Sequence, residues 1–288
     1  MEFSPFPLRN KAAFITGGAQ RIGAVIARML HAQEMNIVFQ YRNSREAAAR
    51  LCDELNRKRL NSAHALQADL LRTEQIPTLV QEVAAVHGRL DAVVNNASVF
   101  YPTPLETLSE SDWDMLMDTN AKAPLFIAKA AAPYLVPQAT NTSLDNPRRP
   151  VDKPAEHNRG NLPGAAPAQQ HGTPWTGCIV NIADIYGVRP LAEHPIYCAT
   201  KAALIMLTKS LARELGPAIR VNAIAPGAIL WPAQGIDDTR RKTLLARTPL
   251  QRIGQPEDIA RAVLFLIRDA TYSTGNIIVI DGGRTMIE

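Results

Sequence analysis

The sequence predicts an α/β fold: a seven-stranded parallel sheet, doubly wound, with helices on both faces. Three observations predict it. Short apolar runs alternate along the chain with longer segments whose apolar residues recur at helical spacing. The short runs are apolar throughout, as strands are when helices cover both faces of a sheet. A glycine-containing turn follows the first run and opens the first helical segment, the arrangement of a strand–turn–helix unit.

The elements follow in order. Residues 12–16 form the first strand, ended by Gly17 and Gly18, and residues 21–34 the first helix, with Ile22, Val25, Ile26, Met29 and Leu30 on one face. Strand 36–40 and helix 44–58 come next, then strand 62–67 and helix 73–87, then strand 90–95. A long helical stretch over 109–135 opens with Ser109 and Asp112 at capping-box spacing. Strand 177–183, helix 196–215, strand 220–225, helix 256–268 and strand 276–281 complete the series. The whole chain, 1–288, reads as one domain. Residues 136–176 break the pattern, being rich in Pro, Asn, Ala and Gln. They read as a disordered surface insert rather than a catalytic lid. They join a helix end to a strand start, whereas ligands of a parallel sheet bind at the carboxyl ends of its strands.

Composition narrows the function classes. Apolar residues are 46% and charged residues 20%, which excludes a collagen and a wholly disordered chain. No apolar run reaches the roughly 18 residues of a membrane span, and the N-terminal stretch lacks the pattern of a secretion signal. The net charge of +4 comes from scattered basic residues, so no nucleic-acid tract is present. Cys52, Cys178 and Cys198 form no CxxC pair, and the six histidines make no ligand pair at helical spacing. The expectation is a reduced, cytoplasmic protein with no metal, no nucleic-acid partner and no membrane anchor.

Several segments carry chemistry. Glycines in Thr16-Gly17-Gly18-Ala19-Gln20-Arg21-Ile22-Gly23 let backbone approach a pyrophosphate, whose charge the helix N-terminus attracts. In Tyr41-Arg42-Asn43-Ser44 no carboxylate is available to bind a ribose 2′-hydroxyl. Arg42 and Ser44 can instead hold a 2′-phosphate, which favours NADPH. Asp69, before Leu70, is placed to accept from an adenine amino group. Asn96, Ala97 and Ser98 are small and polar, as close approach to a cofactor requires. Tyr197 and Lys201 share one helical face. The ammonium is expected to stabilise tyrosinate and lower the Tyr197 pKa toward that of an acid catalyst.

Together with the Pro226-Gly227 turn, these segments resemble the short-chain dehydrogenase/reductase family over essentially the whole chain except the 136–176 insert. The resemblance implies a Rossmann fold, Tyr197 as proton donor, Lys201 also binding the nicotinamide ribose, and Asn120 helping to hold a proton-relay water. It also implies a homotetramer built through the helices at about 111–135 and 196–215.

Two departures narrow the resemblance. Arg21 stands where most of the family has glycine, and Asp184 where most have the serine that polarises a ketone oxygen. An ionised carboxylate would repel a developing alkoxide, and suits a substrate protonated on a ring nitrogen better. Arg21, Asp184, the segment from Asn96 to Pro104 and the Tyr41–Ser44 loop resemble the pteridine reductase subfamily. That resemblance implies an NADPH-dependent reductase of pterins or folates. Gly17, Arg21, Ile22, Gly23, Tyr41, Arg42, Asn43, Ser44, Asp69, Leu70, Asn96, Ala97, Ser98, Tyr197, Lys201, Pro226 and Gly227 would then bind cofactor. Arg21, Ser98, Phe100, Asp184 and Tyr197 would meet substrate, with Phe100 stacking on the pterin. Asp184, Tyr197 and Lys201 would be catalytic. His194 stands where that subfamily has a tyrosine near the pocket, and reads either as a pocket residue or as a loop histidine without contact. A short-chain carbonyl reductase, such as a 3-ketoacyl-carrier-protein reductase, and a non-catalytic NADP-sensing protein are the alternative readings.

Overall fold

A computed structural model describes residues 7–136, 176–230 and 237–287. Among them the strands are β1 (Ala12–Ile15), β2 (Asn36–Tyr41), β3 (Ala63–Gln67), β4 (Ala92–Asn95), β5 (Gly177–Ile182), β6 (Ile219–Pro226) and β7 (Ile277–Ile280). The helices are α1 (Arg21–Ala32), α2 (Arg45–Lys58), α3 (Ile76–His87), α4 (Glu110–Met117), α5 (Ala123–Leu135), α6 (Pro195–Leu215), α7 (Asp238–Ala246) and α8 (Pro256–Arg268). The strands form one sheet in the order β3-β2-β1-β4-β5-β6-β7, and every neighbouring pair is parallel. This is the predicted Rossmann-type sheet.

Strand alternation sorts the core into two layers. Ala13, Ile15, Ile37, Phe39, Ala92, Val94, Cys178 and Val180 point to the face covered by α1, α2 and α8. Their neighbours Phe14, Val38, Val93 and Ile179 point to the face of α3, α5 and α6. All four residues of β1, and all four of β4, are buried, so the runs had to be apolar throughout. After β3 the chain crosses back to lay β4 on the other side of β1. The carboxyl ends of β1 and β4 therefore flank the switch point, where doubly wound sheets open a crevice.

The single helix expected over 109–135 is interrupted. Its start is as predicted: Ser109 caps α4, its hydroxyl accepting from Asp112 N–H while the Asp112 carboxylate accepts from Ser109 N–H. Between α4 and α5, Asp118–Lys122 form a π-helical turn in which Ala123 N–H bonds to Asp118 O, five residues back. The cause is Pro124, which has no N–H to donate and whose ring would crowd the carbonyl four residues back, that of Asn120. Widening the turn relieves that clash. Helix α7 escaped the sequence reading because Leu244, Leu245 and Ala246 are its few apolar residues.

Apart from its two ends, the 136–176 insert lies outside the described residues. The ends converge: a Cβ placed on Gly177 would lie 2.6 Å from Leu135 O. They sit at the amino edge of β5, opposite the crevice. Replacing residues 137–175 by a short Gly/Ser link should leave kcat unchanged in a steady-state assay. Lost turnover in a folded, normally assembled variant would place part of the chemistry in this segment.

Candidate active site

The first βα turn is shaped for close backbone approach. Gly17 has φ +60°, and a Cβ on Gly23 would fall 2.4 Å from Gly17 O and 2.6 Å from Asn96 Nδ2. Asn96 ties the two sides of the switch point together, its Nδ2 donating to Thr16 O and Gly17 O, both at 3.0 Å. Thr16 Oγ1 accepts from Asn96 N–H and Ala97 N–H. Gln40, buried at the end of β2, completes the frame by accepting from Gly17 N–H at 3.0 Å and donating to Ala68 O. The sequence reading passed over Gln40, although a polar residue closing the run Asn-Ile-Val-Phe was the available signal.

Arg21 opens α1 with φ +52°. A non-glycine residue pays about 1 kcal/mol for that backbone, where a glycine would not. The retained arginine points to a task for its guanidinium. It is exposed at the rim of a cleft of about 360 Å³. Gly17, Ile22, Gly23, Tyr41, Arg42, Ser44, Asp69, Leu70, Asn96, Ala97, Ser98 and Thr119 line the same cleft. These include most of the positions expected to hold a cofactor. Asn43, Tyr197, Lys201, Pro226 and Gly227 do not line it. Asn43 instead offers its carbonyl to Arg45 N–H, and Gly227 packs against Asp281, where a Cβ would lie 2.7 Å from that side chain.

The cleft fits a dinucleotide. Its floor is backbone that only glycines leave open. Arg42 stands exposed on it, with no carboxylate partner among the described residues. Thr119 Oγ1 is buried at its wall without a hydrogen-bond partner among the described residues, an atom that a bound ligand or water would satisfy.

A second group of side chains adjoins this cleft. The π-helical turn presents Asn120, whose Oδ1 accepts from Ser98 Oγ and Val99 N–H. Its Nδ2 donates to Val99 O and to Thr200 Oγ1 on α6. Asn120 thus fastens the β4 loop to the helix that carries Tyr197 and Lys201. π-helical turns recur at functional sites because they redirect one side chain without ending the helix.

Asp184, just beyond β5, lies between these elements. Its Oδ2 accepts from Tyr197 Oη at 2.9 Å, and its Oδ1 accepts from Tyr186 N–H at 2.9 Å. Lys201 is buried and donates to Ile182 O at 3.1 Å, with its ammonium 5.6 Å from the Tyr197 ring centroid. Burial lowers the Lys201 pKa to about 8, against the opposing pull of Asp184. Burial also pushes the Asp184 carboxyl up, against the Tyr186 N–H, Lys201, Tyr197 and Arg284.

The expectation that Lys201 lowers the Tyr197 pKa is corrected here. The Tyr197 hydroxyl is held well above 10, first by burial and then by the adjacent Asp184 carboxylate. Lys201 turns toward the Ile182 carbonyl rather than the phenol oxygen. Tyr197 accordingly stores a proton in the protein alone.

Phe100 is 56% exposed beside this group. It meets Tyr197 edge to face, with centroids 4.7 Å apart. His194 is not contact-free: its ring stacks on Phe100 at 4.7 Å and 13°, and its Nδ1 bonds to Ala192 O at 2.7 Å. The arrangement offers a flat aromatic surface, a stored proton and a half-buried carboxyl beside a cleft suited to a dinucleotide.

Comparison with known proteins agrees with this geometry. The sequence-family model described as short chain dehydrogenase matches residues 11–143, and that described as enoyl-(acyl carrier protein) reductase matches residues 162–285. The chain is 32% identical over 280 residues to a 3-oxoacyl-[acyl-carrier-protein] reductase of Staphylococcus aureus, covering 96% of this chain and 99% of that protein. It is 31% identical over 279 residues to the Thermotoga maritima protein of the same name, with 96% and 98% covered. Among solved structures, a short-chain dehydrogenase/reductase from Brucella melitensis superposes with a TM-score of 0.77 at 25% identity, covering 98% of this chain and 99% of that one. No described helix is long and apolar enough to cross a membrane.

Proposed function

Because the chain belongs to the short-chain dehydrogenase family and is an oxidoreductase, we propose that it is an NADPH-dependent reductase of pteridines. The observation that carries this reading is the Asp184 carboxylate on the Tyr197 hydroxyl at 2.9 Å. A carboxylate at that point opposes charge on a ketone oxygen and favours proton delivery to a ring nitrogen.

The residues divide the work as follows. The glycine turn, Asn96, Arg42, Ser44 and Asp69 would hold the dinucleotide, with Arg42 and Ser44 on a 2′-phosphate. Bound NADPH would supply a hydride. Phe100 supports a flat heterocycle over its exposed face, backed by His194. Tyr197 gives its proton to the ring nitrogen, and Asp184 fixes the phenol and exchanges the proton with it. The Lys201 ammonium neutralises the charge left on the pair. The same reading carries assembly into a homotetramer.

A second reading is reduction of 3-oxoacyl thioesters, favoured by the names of the Staphylococcus and Thermotoga relatives. In it Tyr197 would protonate an alkoxide, and Asp184 would be a hindrance that the family's serine avoids.

The pteridine reading is tested by binding. Calorimetric titration of the NADP⁺-loaded protein with an oxidised pteridine should show one site per chain. No heat of binding for any pteridine, alongside tight binding of an acyl thioester, would overturn it. For the cofactor, Arg42→Ala should weaken NADPH by about 1–3 kcal/mol, the range of a hydrogen bond to a charged group, and leave NADH unchanged. Equal affinity of the unmodified protein for the two cofactors would contradict the assignment.

A further inference from the structure

The C-terminal residues reach back to the loop that carries Asp184. Gly282 and Gly283 turn the chain with φ +66° and +87°, conformations that glycine adopts without strain. The Asp281 carboxylate locks that turn by accepting from Gly283 N–H at 2.8 Å and Thr285 N–H at 2.7 Å. The turn then docks at two points. Arg189 Nη1 donates to Arg284 O at 2.8 Å and Ile287 O at 3.3 Å, and Arg284 Nη2 donates to Tyr186 Oη at 3.2 Å. Tyr186 is the residue whose N–H holds Asp184 Oδ1. Its ring packs in the small cluster of Leu116, Ile196 and Tyr197. A chain of direct contacts therefore runs from Arg284 through Tyr186 to both members of the Asp184–Tyr197 pair.

We propose that Arg284 is a positioning residue for proton delivery: the preformed C-terminal turn holds its guanidinium on the Tyr186 hydroxyl, and Tyr186 in turn holds the Asp184 carboxyl against Tyr197. The proposal rests on Asp184 and Tyr197 being the proton-delivering pair, and not on which substrate they serve. With its backbone carbonyl held by Arg189, Arg284 presents a planar guanidinium that is a pre-organised cation, and its field reaches the acid. The groups that face Asp184 are Tyr197 and Lys201 from α6, Tyr186 from its own loop, and Arg284. Arg189 and Cys198 face Tyr186, Cys198 also faces Tyr197, and His194 lies behind Phe100. Arg284 favours the ionised form of both Asp184 and Tyr186. Removing it must move both titrations upward.

Arg284→Met, Arg284→Lys and Tyr186→Phe, each checked for native circular dichroism, test the proposal on whichever substrate turns over. Arg284→Met should lower kcat by about tenfold through misplacement of the acid, with KM for NADPH unchanged. The acid-side rise of kcat, where the Asp184 carboxyl ionises, should move up, while the alkaline fall that follows Lys201 stays in place. Carbon-13 titration of the Asp184 carboxyl in the substrate-free protein should move the same way. Arg284→Lys should restore the pH position and only part of kcat, because an ammonium keeps the charge but not the fork. Tyr186→Phe should lose kcat like Arg284→Met even if that variant does not fold. A pH profile and Asp184 titration that superpose on the unmodified enzyme, or full kcat in Tyr186→Phe, would overturn the proposal. Failure of the underlying proton-delivery reading would show separately, as activity surviving in Tyr197→Phe.

Discussion

Tyr197→Phe is expected to lower kcat by about 10²–10⁴-fold, the contribution of a positioned proton donor. The phenol hydroxyl is held protonated by burial and by Asp184, so in the proposed reading the removed group is the loaded donor. NADPH affinity should change little, since the ring does not line the dinucleotide cleft. In the unmodified enzyme, rising pH removes the Lys201 charge near pH 8 and then the proton of the coupled pair, so kcat should decline on the alkaline side. Steady-state rates from pH 6 to pH 10 check this. A Phe variant within a few-fold of normal would remove Tyr197 from the chemistry.

Asp184→Ser is expected to act oppositely on two substrate classes. Serine cannot exchange a proton with Tyr197 as a carboxyl does, so pteridine turnover should fall by about 10²–10⁴-fold. For a ketone, serine would donate to the developing oxyanion in place of a repelling carboxylate, so ketone turnover should hold or rise. The Asp184→Ser/Tyr197→Phe double variant should lose less than the product of the single losses, because the two side chains act as one unit. Side-by-side rates on a dihydropteridine and an acetoacetyl thioester report the result. Undiminished pteridine reduction by Asp184→Ser would exclude the carboxyl from the mechanism.

What could be read from the sequence divides by distance along the chain. The buried strands and the Gly17–Gly23 turn announce themselves within a few residues, since burial on both faces demands unbroken apolar runs. Ser109 with Asp112, and Tyr197 with Lys201, are legible because helical spacing alone brings each pair together. The interruption at Asp118–Lys122 was written in Pro124, yet a proline near a helix start is ordinarily tolerated, so the cue pointed both ways. Contacts that the fold assembles from afar carry no local signature. Gln40 and Gly17 are 23 residues apart, and Tyr186 and Arg284 are 98 apart. The Tyr197 pKa departs from its expectation for a related reason. Helical spacing showed the cation four residues on, but not where its ammonium turns or how deeply the phenol is buried.

On the proposed reading, the Asp184–Tyr197 pair directs this short-chain dehydrogenase to pteridines rather than to ketones. The most direct measurement is the initial rate of NADPH oxidation by the unmodified enzyme at neutral pH, with dihydrobiopterin and with an acetoacetyl thioester over the same concentration range. The kcat/KM for dihydrobiopterin should be larger by about 10²-fold or more, the discrimination open to a site whose polar groups fit only one substrate. A larger kcat/KM for the thioester would contradict it and establish the carbonyl-reductase reading in its place.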